Sequence, residues 1–236
     1  MTNSTENEKQ PDLTCHESSP VGSSVYSRTT LKFYDFIVHF LTNRLVWRCA
    51  TKHLVEHCDI HLSSNHLEIG IGSGKLFKRS AINREFERLA IADANPNCLQ
   101  VSAQNLNLLK PETWKINLIN PNEELGKMGR FQSIGMNYVL HCLPLAMHEK
   151  LQVCDRLIDH SLQPQGVLFG TTLFPQQNSH WLSRKLMSFY NRKKIFTNLE
   201  DSSKAFKQWC EDRGRDYNFF AVGCVGFFSI RRSNET

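Results

Sequence analysis

Apolar runs and helical periodicity alternate along the chain and predict its strands and helices. Val167–Leu173 is almost continuously apolar, which is typical of a strand buried on both faces. We also predict strands at Leu89–Asp93, Trp114–Ile119 and Phe131–Asn137. Between Lys150 and Ser161 apolar residues can form one helical face. The middle of the chain is therefore expected to combine several strands with at least one amphipathic helix.

The two ends of the chain differ in character. Asn218–Gly223 and Val225–Arg231 predict two strands near the end, whereas residues 1–28 are rich in polar residues and predict a disordered leader. The leader has neither the basic start nor the apolar core of a secretory signal. The longest apolar stretch, Phe219–Ile230, contains two glycines and is too short to cross a bilayer. We therefore expect a cytoplasmic protein without membrane association.

An acidic residue followed by spaced glycines indicates a ligand-binding turn. Glu68 precedes Gly70, Gly72 and Gly74, and glycines allow positive φ and close approach of the backbone to a ligand. A dinucleotide turn requires a further glycine where Lys75 stands. The spacing therefore disfavours a pyrophosphate and favours a nucleoside ligand that carries an ammonium group.

Asp93 supplies a second acidic position at the end of the next predicted strand. It lies about 20 positions after Gly74, the separation that a helix and a returning strand need before a carboxylate can accept ribose hydroxyls. With this residue, the glycine loop resembles that of the class I S-adenosylmethionine-dependent methyltransferases. The resemblance extends over roughly residues 30–232 and implies a Rossmann-like α/β fold. Its seven-stranded, mostly parallel sheet would have a terminal antiparallel strand and helices on both faces.

The resemblance also implies S-adenosylmethionine as cofactor and a small-molecule methyl acceptor as partner. The glycine loop would enclose the methionine portion, with Glu68 holding its amino group and Asp93 its ribose. Asn120 would lie beside the adenine, and Asn137 would line the pocket. Tyr34 and Trp47 would reach the pocket from the leading helices. The cofactor-binding prediction thus comprises Glu68, Gly70, Gly72, Gly74, Asp93, Asn120, Asn137, Tyr34 and Trp47.

The same resemblance divides the chain. Residues 29–236 would form a single methyltransferase domain, in which residues 29–60 provide helices over the cofactor and residues 174–212 a helical acceptor lid. The family often has aspartate where Gln132 stands, a departure at a position that is not a main cofactor contact.

Tyr138 and His141 are the candidate catalytic residues, because the segment after the fourth strand faces the methyl group in this family. Methyl transfer from a sulfonium depends chiefly on alignment of acceptor and methyl group. His141 could accept a proton from an acceptor that must lose one. The alternative is that both side chains only pack and cap the chain there.

A wider set of short segments resembles the small-molecule methyltransferases of microbial secondary metabolism. It comprises Tyr34-Asp35, Trp47-Arg48-Cys49, Leu67–Gly74, Ile134–Pro144, Tyr190-Asn191, Phe196-Thr197-Asn198 and Asp201-Ser202. This pattern implies methyl transfer to an O, N or C centre of a small organic molecule.

Other functions stay open at this level. The net charge of +5 and the basic residues at 184–185 and 192–194 would suit RNA or protein as acceptor, although charge alone does not choose a partner. The motifs of adenine-amine and cytosine-C5 methyltransferases are absent, so nucleic acid is not favoured. A methyltransferase-like protein without catalysis is another alternative. Nothing in the sequence indicates the oligomeric state.

Cysteine and histidine patterns predict no metal site. The eight cysteines contain no Cys-x-x-Cys pair, and a reduced intracellular environment is the simpler explanation. His53, His57 and His61 recur every four residues and could share a helical face. Histidines at such positions are usually surface or partly buried residues rather than ligands.

Overall fold

The structure of the protein, a computed structural model, describes residues 44–233. The strands are β1 Asn65–Ile69, β2 Arg88–Asp93, β3 Glu112–Lys115, β4 Phe131–Asn137, β5 Leu162–Leu173, β6 Asp216–Val222 and β7 Val225–Arg231. The α-helices are α1 Thr51–His61, α2 Lys75–Ala81, α3 Pro96–Asn105, α4 Met147–Ser161, α5 Trp181–Arg192 and α6 Ser203–Asp212. Short 3₁₀ helices lie at Asn107–Leu109, Leu125–Met128 and Leu140–Cys142.

The seven strands form one sheet in the order β3-β2-β1-β4-β5-β7-β6. Neighbouring strands from β3 to β5 pair in parallel, whereas β7 runs antiparallel to both β5 and β6. The predicted α/β fold with a terminal antiparallel strand is confirmed. The strand order reverses between β1 and β4, and ligands of open α/β sheets bind at the carboxyl ends of strands at such a point.

Helices cover both faces of the sheet, as predicted. On one face, Leu157 of α4 and Phe206 of α6 belong to the largest apolar cluster. On the other face, Phe77 of α2 packs in a cluster with Ile91 of β2, and Cys58 of α1 with the neighbouring β5. The period-two alternation of side chains along each strand separates these clusters. Both faces of the central strands are buried, which explains their apolar runs.

The third strand differs from its prediction. Trp114–Ile119 is apolar at alternate positions, but β3 ends at Lys115. Among residues 44–233, β3 pairs only with β2, and β2 ends at Asp93, which lies opposite Lys115. Because no ladder partner extends further, the chain leaves the sheet there, and Ile116 and Leu118 are buried outside it.

The other boundaries follow the sequence pattern more closely. β4 has the predicted limits, and α4 and β5 both begin earlier than predicted. The predicted leader and the first half of the predicted cofactor-covering segment lie outside the described residues. Among residues 44–233, no helix combines the length and apolarity needed to cross a membrane.

Candidate functional site

A cavity of about 290 Å³ opens at the carboxyl ends of β1, β2 and β4. Seven residues that the sequence analysis selected contribute to its wall: Glu68, Gly70, Gly72, Gly74, Asp93, Asn137 and Tyr138. The switch in strand order thus creates a concave site between the segments in which the sequence motifs lie.

The glycine loop forms one wall of the cavity because its backbone is left-handed. Gly70, Gly72 and Gly74 have φ values of 64°, 55° and 75°. A Cβ on Gly70 would lie 2.5 Å from the Cγ2 atom of Val139, whereas a Cβ on Gly72 would meet no atom within 4 Å. Side chains are therefore excluded at Gly70 by the neighbouring chain, and the space beside Gly72 is open.

Asp93 connects the glycine loop to the end of β2. Its carboxylate accepts hydrogen bonds from the backbone N–H groups of Gly72 at 3.1 Å and Asn95 at 2.9 Å. Burial raises the pKa of the Asp93 carboxyl group, an effect opposed by the backbone hydrogen bonds that it accepts. The carboxylate is partly exposed to the cavity, so it can also accept hydrogen bonds from a ligand.

Glu68, near the end of β1, supplies a second carboxylate to the same cavity. Its side chain is 4% exposed. Asn137 donates a hydrogen bond to Glu68 Oε1 at 3.2 Å, and a ring nitrogen of His66 lies 3.1 Å from Oε2. The carboxylate therefore occupies a defined position at the cavity wall.

Tyr138 follows β4 with an unusual backbone conformation. Its φ is 59°, a value that is uncommon for a bulky residue and often marks functional sites. Its N–H donates to the carbonyl of Thr171 at 2.8 Å, which attaches this turn to β5. Burial raises the pKa of the Tyr138 hydroxyl well above its ordinary value. Tyr138 thus lines the cavity, and it also packs against the apolar cluster that contains Trp47 and Leu54.

His141 lies behind the cavity rather than in its wall. It is 2% exposed, and its ring packs edge-on against Phe196, with centroids 4.5 Å apart. Burial first, and the Lys150 charge second, lower the His141 pKa to about 3. An imidazole with that pKa is a weak proton acceptor at neutral pH. Its role as a base stays a prediction, and the described geometry favours the packing alternative.

The buried histidines predict acid sensitivity. The pKa of His57 is lowered to about 4 by burial and by His61, and that of His141 to about 3. The unfolded chain, with histidine pKa near 6.5, binds more protons below that pH, so stability is lost as the pH falls from about 6.5 towards 4. Each histidine should lower the free energy of unfolding by roughly 2 kcal/mol between pH 7 and pH 5.

Urea titrations at pH 7 and pH 5 measure this loss. A His141→Phe variant should lose less stability over the interval than the wild type, because phenylalanine does not titrate. Equal losses in the two proteins would contradict the assignment to His141.

Two further predicted cofactor contacts, Asn120 and Trp47, are not part of the cavity wall. Asn120 is exposed, and its carbonyl accepts a hydrogen bond from Arg156. Asn117 lines the cavity in its place, because β3 ends earlier than predicted. Trp47 is 2% exposed and packs near Phe196, outside the cavity wall. Tyr34 lies outside the described residues.

Apolar residues line much of the cavity. Leu118, Ile119, Leu143 and Pro144 line it, together with the 194–195 segment that follows α5. That segment belongs to the predicted acceptor lid. The cavity can therefore accommodate an apolar group as well as polar ones.

Two sets of polar contacts hold residues 191–201, within the segment predicted as an acceptor lid. Asn191 and Asn198 exchange hydrogen bonds of 2.9 and 3.1 Å. Lys150 of α4 forms a buried ion pair with Asp201 at 2.6 Å and donates to the carbonyl of Thr197. Four of these residues, Asn191, Thr197, Asn198 and Asp201, belong to the short segments quoted in the sequence analysis. They form a structural network next to the cavity wall, which explains part of that pattern.

Sequence reasoning missed His66, Asn117 and Lys150. His66 shares a strand face with Glu68, and that spacing was a usable signal. The burial of Lys150 and the end of β3 have no comparable local signal, because packing between distant segments decides them.

Two histidines of α1 have polar partners within the protein. His57 Nε2 lies 3.1 Å from the carbonyl oxygen of Phe228, and His53 Nδ1 lies 3.3 Å from the carboxylate of Glu56. The seven cysteines of the described range are free thiols.

Comparisons with known proteins identify methyltransferases among the relatives of this chain. No protein-family model matches the chain. Methyltransferase aurB from Calcarisporium arbuscula is 30% identical over 222 residues, which cover 88% of this chain and 95% of that protein. Demethylluteothin O-methyltransferase from Streptomyces thioluteus is 28% identical over 214 residues, which cover 88% and 89%.

One solved structure with a similar fold is the N-methyltransferase NodS from Bradyrhizobium japonicum WM9 in complex with S-adenosyl-L-homocysteine. The two share 14% identity with a TM-score of 0.54, over 78% of this chain and 86% of NodS. This likeness concerns the fold.

Proposed function

Because this chain belongs to the small-molecule branch of the class I methyltransferases, we propose that its cavity binds S-adenosylmethionine and a largely apolar organic acceptor. The reaction is transfer of the methyl group to an O, N or C centre of that acceptor. The observation that carries the proposal is the pair of carboxylates, Glu68 and Asp93, in one cavity wall on either side of a glycine loop.

The donor groups of the cavity suit this cofactor. Glu68 is buried, and within residues 44–233 its one ion-pair contact within 4.0 Å is with His66. A ligand ammonium group would supply a full counter-charge to this carboxylate. Asp93 keeps an accessible carboxylate for the ribose hydroxyls, and the open space beside Gly72 admits the ligand backbone.

The acceptor would occupy the apolar end of the cavity. The lid segment at 194–195 and the Leu143–Pro144 turn line that end. An aromatic or otherwise apolar body would bury its surface there, at about 25 cal/mol per Å². Residues 174–212 would thus act as the acceptor lid, and residues 29–60 as cover for the cofactor.

Positioning supplies most of the catalysis in this proposal. When bound, S-adenosylmethionine provides an electrophilic methyl group. Tyr138 lines the cavity, and its hydroxyl would orient the acceptor by donating a hydrogen bond. The apolar wall excludes water from the line of attack. His141 could take part only after a change that brings it to the cavity.

Calorimetry separates this cofactor class from others. The wild-type protein should bind S-adenosylhomocysteine and show no heat of binding with NAD. Incubation with S-adenosylmethionine and a panel of apolar phenols, amines and carboxylic acids should then release S-adenosylhomocysteine. Binding of NAD alone, or of neither compound, would contradict the proposal.

Loss of the Asp93 carboxylate should weaken cofactor binding. Asp93→Ala removes charge-assisted hydrogen bonds to the ribose, and we expect a loss on the order of 1.5–3 kcal/mol in the free energy of binding S-adenosylhomocysteine. Asp216→Ala is the matched control, because Asp216 is 78% exposed at the start of β6. An unchanged affinity of Asp93→Ala, measured by calorimetry, would remove Asp93 from the site.

A further inference from the structure

His66 precedes Glu68 by two residues on β1, so both side chains lie on the same face of the strand. His66 is fully buried and is not part of the cavity wall. Its ring stacks on Phe77 of α2, with centroids 5.3 Å apart and an interplanar angle of 10°. Packing thus holds the imidazole in one orientation beside the carboxylate.

Hydrogen bonds at both ring nitrogens connect His66 to its surroundings. Nε2 lies 3.1 Å from Glu68 Oε2, and Nδ1 lies 2.8 Å from the Ser133 hydroxyl oxygen. An ionised carboxylate only accepts hydrogen bonds, so the Nε2 atom carries the proton. The Ser133 hydroxyl can donate to Nδ1 or accept from it, and it lies 2.7 Å from the Ser63 hydroxyl.

The register between β1 and β4 creates this arrangement. His66 lies opposite Ser133, and Glu68 lies opposite Gly135. A Cβ on Gly135 would lie 1.9 Å from Glu68 Oε2. Only glycine at that position leaves room for the carboxylate where His66 can reach it.

The second carboxylate oxygen is held from the other side. Asn137 donates to Glu68 Oε1, and the Thr171 hydroxyl donates to Asn137 Oδ1 at 3.2 Å. Both oxygens of Glu68 therefore have a fixed donor, and their remaining lone pairs are available to a ligand in the cavity.

We propose that His66 is a positioning residue that holds the Glu68 carboxylate in the orientation that receives the ammonium group of the cofactor. This inference rests on the proposed function, because it assigns the amino-acid portion of S-adenosylmethionine to Glu68. His66 acts through Glu68 and does not touch the ligand. If the Glu68 carboxylate could rotate freely, affinity would fall only for ligands that carry the ammonium group.

Two ligands distinguish positioning from a general structural role. S-Adenosylhomocysteine carries the ammonium group, whereas 5′-methylthioadenosine has the same nucleoside and a sulfur but no amino-acid portion. In His66→Leu, affinity for S-adenosylhomocysteine should fall by about tenfold to a hundredfold, the usual range for a lost hydrogen bond to a charged group. Affinity for 5′-methylthioadenosine should stay within about threefold of the wild type, since it makes no contact with Glu68.

Two variants with amide side chains test which ring nitrogen of His66 positions the carboxylate. His66→Gln can place an amide N–H near the Nε2 position and should restore most of the selectivity for S-adenosylhomocysteine. His66→Asn can reach only the Nδ1 position towards Ser133 and should restore less. Equal losses for both ligands, or equal behaviour of Gln and Asn, would overturn the positioning role.

Failure of the inference is separable from failure of the proposed function. A wild-type protein that binds neither ligand contradicts the proposed function. A wild-type protein that binds both, with unchanged selectivity in folded His66→Leu, contradicts only the inference. If the leucine variant does not fold, ¹⁵N-histidine spectra of the wild type decide. The His66 Nε2 resonance should move with S-adenosylhomocysteine and not with 5′-methylthioadenosine, and an equal response to both would overturn the proposal.

Discussion

Replacement of Gly72 by arginine is expected to abolish measurable binding of S-adenosylhomocysteine. The space beside the Gly72 Cα is open and belongs to the cavity, so a long side chain there would occupy the volume that the cofactor needs. The bulk of the arginine side chain would also displace the backbone N–H of residue 72, which donates a hydrogen bond to the Asp93 carboxylate. We expect a loss of about a thousandfold in affinity, which is roughly 4 kcal/mol, measured by calorimetry.

Gly214→Arg provides a closely matched control. Gly214 has a φ of 57°, close to the 55° of Gly72, and a Cβ there would also meet no atom within 4 Å. Both variants therefore carry a similar left-handed backbone strain of about 1–2 kcal/mol. Gly214 lies in the turn between α6 and β6, away from the cavity, so this variant should bind normally. Retained affinity in Gly72→Arg would show that the cofactor does not pass along the loop.

Loss of Lys150 should produce the largest change in stability. Lys150 is completely buried, and its ammonium group contacts the Asp201 carboxylate and the Thr197 carbonyl. Lys150→Met would leave Asp201 buried without its cation. Breaking a buried pair from one side typically lowers the free energy of unfolding by about 3–5 kcal/mol, which urea titration at pH 7 measures.

A double variant and a surface pair complete the test. Lys150→Met with Asp201→Leu removes both charges and should recover much of the lost stability, because the desolvation penalty disappears with the carboxylate. Arg231→Met breaks an exposed contact with Asp216 at 3.9 Å and should change stability little. A single Lys150→Met variant as stable as the wild type would show that the pair contributes nothing to folding.

The Lys150–Asp201 ion pair also links the stability of the fold to the candidate site. Thr197 and Asp201 follow the 194–195 segment that lines the cavity, so Lys150 attaches the proposed acceptor lid to α4. Variants at this pair are therefore expected to affect the apolar end of the cavity more than the glycine loop, which connects β1 to α2.

Local patterns were sufficient for most of the fold. The limits of β4 and β7 follow from their apolar runs. The glycine loop and Asp93 line one cavity, as their spacing suggested. Their roles in binding remain predictions.

Other parts depended on neighbours that the sequence does not reveal. β3 ends at Lys115 because β2, its partner within the described part of the chain, ends there, and Asn117 rather than Asn120 lines the cavity. His141 follows Tyr138 by three residues, yet a short 3₁₀ helix turns it into the packing around Phe196. Neither outcome is visible in residue types or spacing.

The sequence by itself determined most of the strands, the glycine loop and the two carboxylates at the ends of β1 and β2. These depend on interactions within about 20 residues, where periodicity and backbone freedom act directly. Only the tertiary structure decided what surrounds those carboxylates. The partners of Glu68 include His66 on its own strand but also Asn137, and His66 in turn meets Ser133, both about 70 residues away. Such contacts arise from strand register and helix packing, which sum many weak interactions across the whole chain and therefore leave no local pattern.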